Sequence, residues 1–323
     1  MKKDNQPIVE NAASRRNFLK FSIASGALAM LSQIGELPAQ ENGDGSGEKV
    51  RLLNSEGKLV EVDKSAIKPL TENELNTIVS ENRKRARKGI EGRKWVMVID
   101  LARCKHALNC QEACNKHHHI PGDRQWLNVY KMQNAENTAP YWMPKTCFHC
   151  DNPPCVSVCP VDATFKRDDG IVLIDNERCI GCRFCMAGCP YSTRVFNWGE
   201  PENQDAVKDQ PYDPEKSLPR KKGTVEKCDF CPDMLRMGHL PHCITACPNG
   251  VFFFGDRNED TVTNGSETYK FSKLMEDKAG YRYLEDLGTE PNVYYLPPVD
   301  RLVPFDKSDN LPPVGGHDHN HKH

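Results

Sequence analysis

The chain has 323 residues, with 43 Lys and Arg against 45 Asp and Glu, for a net charge of −2. That balance sets up no global field to attract nucleic acid, and 38% hydrophobic residues with a mean hydropathy of −0.66 are little for a fold held by an apolar core alone. The candidates for extra support are 15 cysteines, all lying between Cys104 and Cys247.

In chain order, residues 1–39 read as an export signal of the twin-arginine type. Ser14 to Lys20 is Ser-Arg-Arg-Asn-Phe-Leu-Lys, with Arg15 and Arg16 as the pair. A weakly apolar stretch follows from Phe21 to Ile34, too short for a membrane span. The competing reading is a basic pair ahead of a buried helix. Leu37-Pro38-Ala39 matches a small-x-small cleavage site poorly. The twin-arginine route moves folded chains, so a cofactor inserted before export survives it.

Residues 40–94 read as a linker (40–48) and an N-terminal arm. The arm carries a predicted helix over Glu72–Arg87. The basic run Arg83–Lys94 reads as a solvated face, with docking to an acidic partner as the alternative. Strands are predicted at Trp95–Asp100, Trp126–Met132 and Val251–Gly255, the last one in the core, and a hairpin at Ala163–Lys166 and Ile171–Ile174. Residues 198–222 read as a long surface insertion, Ser266–Lys278 as a helix, and the chain from Pro291 onward as an extended surface wrap. The organisation expected is therefore a core over 95–256 and a C-terminal region over 257–323.

The cysteines fall into four groups. Cys179-x2-Cys182-x2-Cys185-x3-Cys189-Pro190 has the spacing of the bacterial ferredoxin run at every ligand. Three thiolates on a tight loop wrap one iron–sulfide cube, Gly181 lets the backbone pass close, and the fourth cysteine ligates a neighbouring cluster. Cys147-x2-Cys150-x4-Cys155-x3-Cys159-Pro160 is the same run with two residues inserted. Exchange within this pair assigns Cys147, Cys150, Cys155 and Cys189 to one cluster, and Cys179, Cys182, Cys185 and Cys159 to another. Cys228-x2-Cys231-x11-Cys243-x3-Cys247-Pro248 keeps the Cys-Pro ending. Cys104-x5-Cys110-x3-Cys114 departs from the frame, because Ala107 stands where the second ligand belongs and Asn115 where the proline belongs. By the same exchange Cys228, Cys231, Cys243 and Cys114 hold one cluster. Only Cys104, Cys110 and Cys247 remain for the other. Three thiolates favour a 3Fe–4S cluster, with an open-site 4Fe–4S cluster as the alternative and His106, Asn109 or water as the extra ligand. The metal expected at all 15 cysteines is cluster iron. Zinc knuckles or disulfides compete weakly, since neither needs the Cys-Pro endings.

These residues resemble the four-cluster iron–sulfur subunits of dimethyl sulfoxide reductase-type molybdoenzyme complexes. Similar subunits occur in polysulfide, tetrathionate, formate and nitrate systems, in the alternative quinol-oxidising complex, and beside formate-dependent nitrite reductases. The likeness runs from about Trp95 to Pro298. It rests on Ile99-Asp100-Leu101-x2-Cys104, Cys150-x-Asn152-Pro153-Pro154-Cys155, Asn176-x2-Cys179-Ile180-Gly181-Cys182, Glu226-Lys227-Cys228, Gly255-Asp256 and, more weakly, Leu287 to Pro297. The resemblance implies an α+β fold of two fused ferredoxin-like modules with loop insertions and an extended C-terminal tail. It implies a relay of four clusters without catalysis of its own; with Ala107 departing from the family pattern, the set expected is three 4Fe–4S clusters and one 3Fe–4S or open-site 4Fe–4S cluster. The partners implied are an integral-membrane quinone-reactive subunit and a molybdopterin oxidoreductase or multihaem cytochrome, with no nucleic acid. With the export signal, the place expected is the periplasmic face of the cytoplasmic membrane, attached peripherally. A free-standing periplasmic polyferredoxin is the alternative.

The remaining histidines read more plainly. His117-His118-His119 reads as a polar helix end, with tuning of a nearby cluster as the alternative. His149 reads as a hydrogen-bonding or packing neighbour of a cluster rather than a ligand. The four histidines from His317 to His323 read as a solvated end. Tyr294 and Tyr295 are expected to pack on the core.

Overall fold

The structure is a computed structural model, and it describes residues 49–53, 59–63, 70–133, 135–202, 204–205 and 207–298. The export signal, the linker and the His-rich tail lie outside the described residues. The chain divides into two units, residues 1–76 and 77–323.

In the first unit, β1 (Lys49–Leu53) and β2 (Leu59–Asp63) form an antiparallel hairpin. Thr71 and Glu74 form a capping box at the start of α1 (Glu72–Lys88): the Thr71 N–H and hydroxyl both donate to the Glu74 carboxylate, at 2.8 and 2.7 Å.

The second unit is organised by β3 (Trp95–Asp100), whose run Trp-Val-Met-Val-Ile-Asp is apolar on both faces. Such a strand belongs in the middle of a sheet. Taking the strands in chain order, β4 (Asn128–Met132) pairs with β5 (Tyr141–Lys145), β6 (Thr164–Lys166) with β7 (Val172–Ile174), and β8 (Val195–Phe196) with β9 (Val225–Glu226). Four further strands, β10 (Phe252–Asp256), β11 (Thr261–Thr263), β12 (Thr268–Lys270) and β13 (Tyr281–Arg282), are followed by β14 (Val293–Leu296). The main sheet has the order β12-β11-β10-β3-β14-β13, with β10 antiparallel and β14 parallel to β3. The two faces separate with the period of the strands. Met97, Ile99, Phe252, Phe254, Val293 and Tyr295 face the cysteine-bearing core. Val96, Val98, Phe253, Tyr294 and Leu296 pack against Phe271 and Leu274 of a C-terminal helix over Phe271–Asp277.

Several expectations change here. The described part of the chain from Pro291 through Leu296 does not wrap the surface. β14 pairs with β3 in the middle of the sheet and all four of its residues are buried, so a core ending at residue 256 would omit it. Its apolar Val-Tyr-Tyr-Leu run is what admits it. The helix expected over Ser266–Lys278 is shorter, because Thr268–Lys270 extends as β12 before the helix starts at Phe271.

The segment 198–222 is not merely a surface insertion. Tyr212, Asp213, Glu215, Ser217 and Arg220 in it are buried. Glu215 accepts from Arg167 at 2.7 Å and from Arg236 at 2.6 Å, and Arg220 donates to Glu226 at 2.6 Å. The basic run of α1 is neither a free face nor an open docking strip. Arg83 pairs with Asp175 and Glu177, Arg85 with Asp213 and Glu215, and Arg87 with Asp162. Hydropathy cannot show this, since charges that pair inside look the same in sequence as charges that face water.

The last segment also fastens a cysteine loop. The Asp151 and Asn152 amides donate to the Glu290 and Thr289 carbonyls at 2.8 and 3.1 Å, and the Asn292 amide donates to the Phe148 carbonyl at 2.9 Å. The Asn292 side chain donates to the His149 carbonyl at 2.8 Å, and the Tyr295 hydroxyl to the Pro144 carbonyl at 2.9 Å.

Candidate iron–sulfur centres

Each cysteine group begins with a loop that places a left-handed residue two positions after the first cysteine: His106 (φ 59°), His149 (φ 44°), Gly181 (φ 72°) and Phe230 (φ 65°). A non-glycine residue at such a φ is uncommon, so the recurrence marks one loop geometry built four times. The first group therefore keeps the fold of the ligand loop although Ala107 has replaced a thiol. Gly181 is needed for a second reason: a Cβ there would collide with the Gly223 carbonyl oxygen.

Each group ends in a short helix that carries its next-to-last cysteine and, in the first group, the last one as well. α2 (Asn109–His117) carries Cys110 and Cys114, and α3 (Pro154–Ser157) carries Cys155. α4 (Phe184–Ala187) carries Cys185, α5 (Pro232–Arg236) follows Cys231, and α6 (His242–Thr245) carries Cys243. Where proline follows the last cysteine, at Pro160, Pro190 and Pro248, the helix has four residues. Where Asn115 replaces it, α2 runs for nine. Proline lacks the amide and disfavours helix before it, so its absence lets α2 continue to His117. That extension places His118 in the interior, which sets aside its reading as a polar helix end. His118 is 3% exposed, its Nε2 is 3.4 Å from Cys231 Sγ, and its ring lies on Trp126. His117 pairs with Asp233 at 3.2 Å.

The cysteines line four small cavities. The first is lined by Cys104, Cys110 and Cys247, with His106, Ala107 and Asn109 beside them. The second is lined by Cys114, Cys228, Cys231 and Cys243, the third by Cys147, Cys150, Cys155 and Cys189, and the fourth by Cys159, Cys179, Cys182 and Cys185. The grouping in space thus follows the exchange between motifs. His106 stacks on Trp142 with ring centroids 3.9 Å apart. His149 accepts the Val172 N–H at 3.0 Å on Nδ1 and stacks on Phe230.

The donor sets suit a polynuclear iron–sulfur group better than the competing chemistries. All 15 cysteines are free thiols. Four sulfurs about 2.3 Å from one zinc ion would lie within about 4.6 Å of one another. Among the described residues the one set of three ligand atoms within 4.8 Å of each other is His118, Asp229 and Cys231, so no three thiols close that far. Burial, then the neighbouring cysteines, pushes the Cys110 and Cys150 thiols up to about 12. For Cys228, burial and then Asp229 do the same. Thiols so placed ionise only beside a strong positive charge, which bound iron supplies. Burial also acts to raise Cys159, but the amides of Thr164, Val161 and Ala163 outweigh it and hold that thiol below its usual value.

The comparisons agree with this chemistry. Residues 138–206 and 200–257 match the 4Fe-4S dicluster domain. A selenate reductase subunit of Mesobacillus selenatarsenatis is 33% identical over 298 residues, covering 88% of this chain and 97% of that protein. The chain belongs to the iron–sulfur subunit family of these reductases. The iron–sulfur cluster-binding subunit of menaquinone reductase from Nitratidesulfovibrio vulgaris is 38% identical, covering 63% of this chain and 88% of that one. A tetrathionate reductase subunit of Salmonella typhimurium is 34% identical, covering 65% and 75%. Members of this family are electron-transfer subunits of multisubunit reductases, and this chain accordingly carries several 4Fe–4S clusters in fused ferredoxin-like modules.

Residue spacing did not reveal Arg194 or Lys227. Arg194 lines the third cavity, and Lys227 is buried with its ammonium on the Val172 and Cys228 carbonyls. Neither sits at a ligand position, and Lys227 entered the sequence reading only within the Glu226-Lys227-Cys228 likeness, with no role attached.

Proposed function

We propose that this chain conducts electrons one at a time through four clusters held in a row. It links an integral-membrane quinone-reactive subunit to a molybdopterin oxidoreductase or multihaem cytochrome, and performs no substrate chemistry itself. The observation that carries this reading is the linear sequence of cavities. Cys110 and Cys114 on α2, together with Cys243 and Cys247 at α6, join the first cavity to the second. Cys228 and Cys147 act on each other across the second and third. Cys155 on α3 and Cys185 on α4 interact across the third and fourth. Bound clusters would supply delocalised one-electron redox chemistry, and the protein supplies the thiolates, the spacing and the exclusion of water.

The two ends of the row meet the surface. At the fourth cavity Cys182 is exposed, and Ile180, Phe184 and Trp198 are 64%, 59% and 68% exposed around it. Large exposed apolar side chains beside a redox site suit docking better than free diffusion, which favours a fixed complex over a free polyferredoxin. At the first cavity three thiolates support three 4Fe–4S clusters elsewhere and one 3Fe–4S cluster here, with His106 as the alternative ligand. The twin-arginine signal at Arg15 and Arg16 would deliver the loaded chain to the periplasmic face of the cytoplasmic membrane.

Oxygen-free purification of the full chain, with iron and acid-labile sulfide analysis and EPR, tests the reading. Magnetically interacting clusters including a 3Fe–4S signal are expected. A colourless protein with stoichiometric zinc would refute it.

A further inference from the structure

The third and fourth cavities share one cation. Arg194 follows the Cys189-Pro190 turn, is 5% exposed, and lines the third cavity. One guanidinium nitrogen donates to the Thr164 hydroxyl at 3.3 Å; the other terminal nitrogen has no oxygen or nitrogen partner. Among the described residues no carboxylate forms an ion pair with it. The anionic groups that act on it are the thiolates of Cys155, Cys185 and Cys147. Cys155 and Cys147 belong to the third cavity and Cys185 to the fourth. Every other buried arginine side chain in this unit has a carboxylate: Arg167 has Asp169 and Glu215, and Arg220 has Glu226.

A buried guanidinium without a counter-charge is unfavourable, so its position calls for an anion that arrives later. We propose that Arg194 is a positioning residue that stabilises the reduced state of both clusters at the third and fourth cavities, raising their reduction potentials and easing electron passage between them. Reduction of either cluster takes one electron from its neighbour, which is oxidised by one, and makes or breaks no bond to protein. It adds one negative charge to a group already anionic through its thiolates. A fixed positive charge favours that change, and hydrogen bonding to cluster sulfur acts in the same direction. Lys227, also buried, acts on Cys147 in the same sense. Two buried cations therefore act on a thiol of the third cavity, and Arg194 also acts on one of the fourth.

The inference rests on the cluster reading above, and the experiment separates the two. Iron and sulfide are first counted in the full chain and in the variants Arg194→Gln and Arg194→Lys, prepared without oxygen. Potentials are then read by EPR-monitored redox titration. Arg194→Gln should lower the potentials of two clusters, each by at least a tenfold change in reduction equilibrium, about 59 mV for one electron. The other two should stay in place, and Arg194→Lys, which keeps the charge, should remain near the native values. Loss of two clusters in Arg194→Gln with retention in Arg194→Lys also supports the proposal. Native potentials in Arg194→Gln, or a failure of Arg194→Lys as complete as that of Arg194→Gln, would overturn it. Absence of iron from the unaltered chain would instead sink the cluster reading itself.

Discussion

The two halves of the cysteine core are built on the same loop but have different ionisable neighbours. Around the second cavity lie His118, Asp229 and Asp233, all contributed or approached by the extended end of α2 and the start of α5. Burial, then Asp233, pushes the Asp229 carboxyl up to about 7. Around the third cavity lie Arg194 and Lys227. Spacing between cysteines thus fixes where metal is held, while residues beside and between the cysteines shape the local field. In one half, Asn115 lets a helix run on and brings in a histidine. In the other, Pro190 stops the helix and the chain turns to deliver Arg194.

The largest effect that would test this contrast is removal of a link in the row. Cys155→Ala should eliminate the cluster at the third cavity and stop electron passage between the ends, seen as loss of one EPR component and of reduction of the far clusters by a donor at the near end. The corresponding change Cys110→Ala in the first half should spare the third and fourth clusters. Next in size is Ala107→Cys, which completes the ligand set at the first cavity. It should convert the 3Fe–4S signal of the oxidised protein into a 4Fe–4S signal on reduction and raise the iron content by about one atom. Unchanged iron would mean that the first cavity already holds a complete cube, with another ligand in place of Ala107.

A smaller effect is expected from the scaffold. Glu215→Gln leaves Arg236 and Arg167 short of a carboxylate and should destabilise the protein by about 3 kcal/mol in denaturant unfolding. Burial acts to raise the Glu215 pKa, but the hydrogen bond from Arg236 and the charges of Arg167, Arg236 and Arg85 outweigh it and hold the group below its ordinary 4.5. A depressed carboxylate contributes its full stability above pH 4.5, and that contribution is lost as pH falls below it. The difference in stability between native and Glu215→Gln proteins should therefore shrink in that range. The smallest effect belongs to Asp229→Asn. Because burial already drives that carboxyl towards neutrality, the second cluster's potential should rise by less than Arg194→Gln lowers the third. An equal or larger shift would mean that Asp229 stays charged beside the cluster.

How much of this was legible in sequence depends on the kind of interaction. The grouping of cysteines into four sets was readable because ligand spacing is local and covalently fixed. Strand β3 was readable from its unbroken apolar run. β14 escaped because Val293–Leu296 is short and flanked by prolines, and only its parallel partner β3 explains its burial. The segment 198–222 escaped because its polar composition fits a solvent loop as well as a buried network. His118 could have been found: the missing proline at Asn115 was visible, and a longer helix follows from it. Arg194 carried no local signal, since its significance lies in a carboxylate that is absent nearby.

The attachment of the last strand to the loop carrying Cys147 and Cys150 makes one wall of a cluster cavity depend on residues far later in the chain. Residues 289–295 secure that loop through Phe148, His149, Asp151 and Asn152. A chain cut before residue 289 would keep all four thiols of the third cavity and lose the strap that holds the loop carrying two of them.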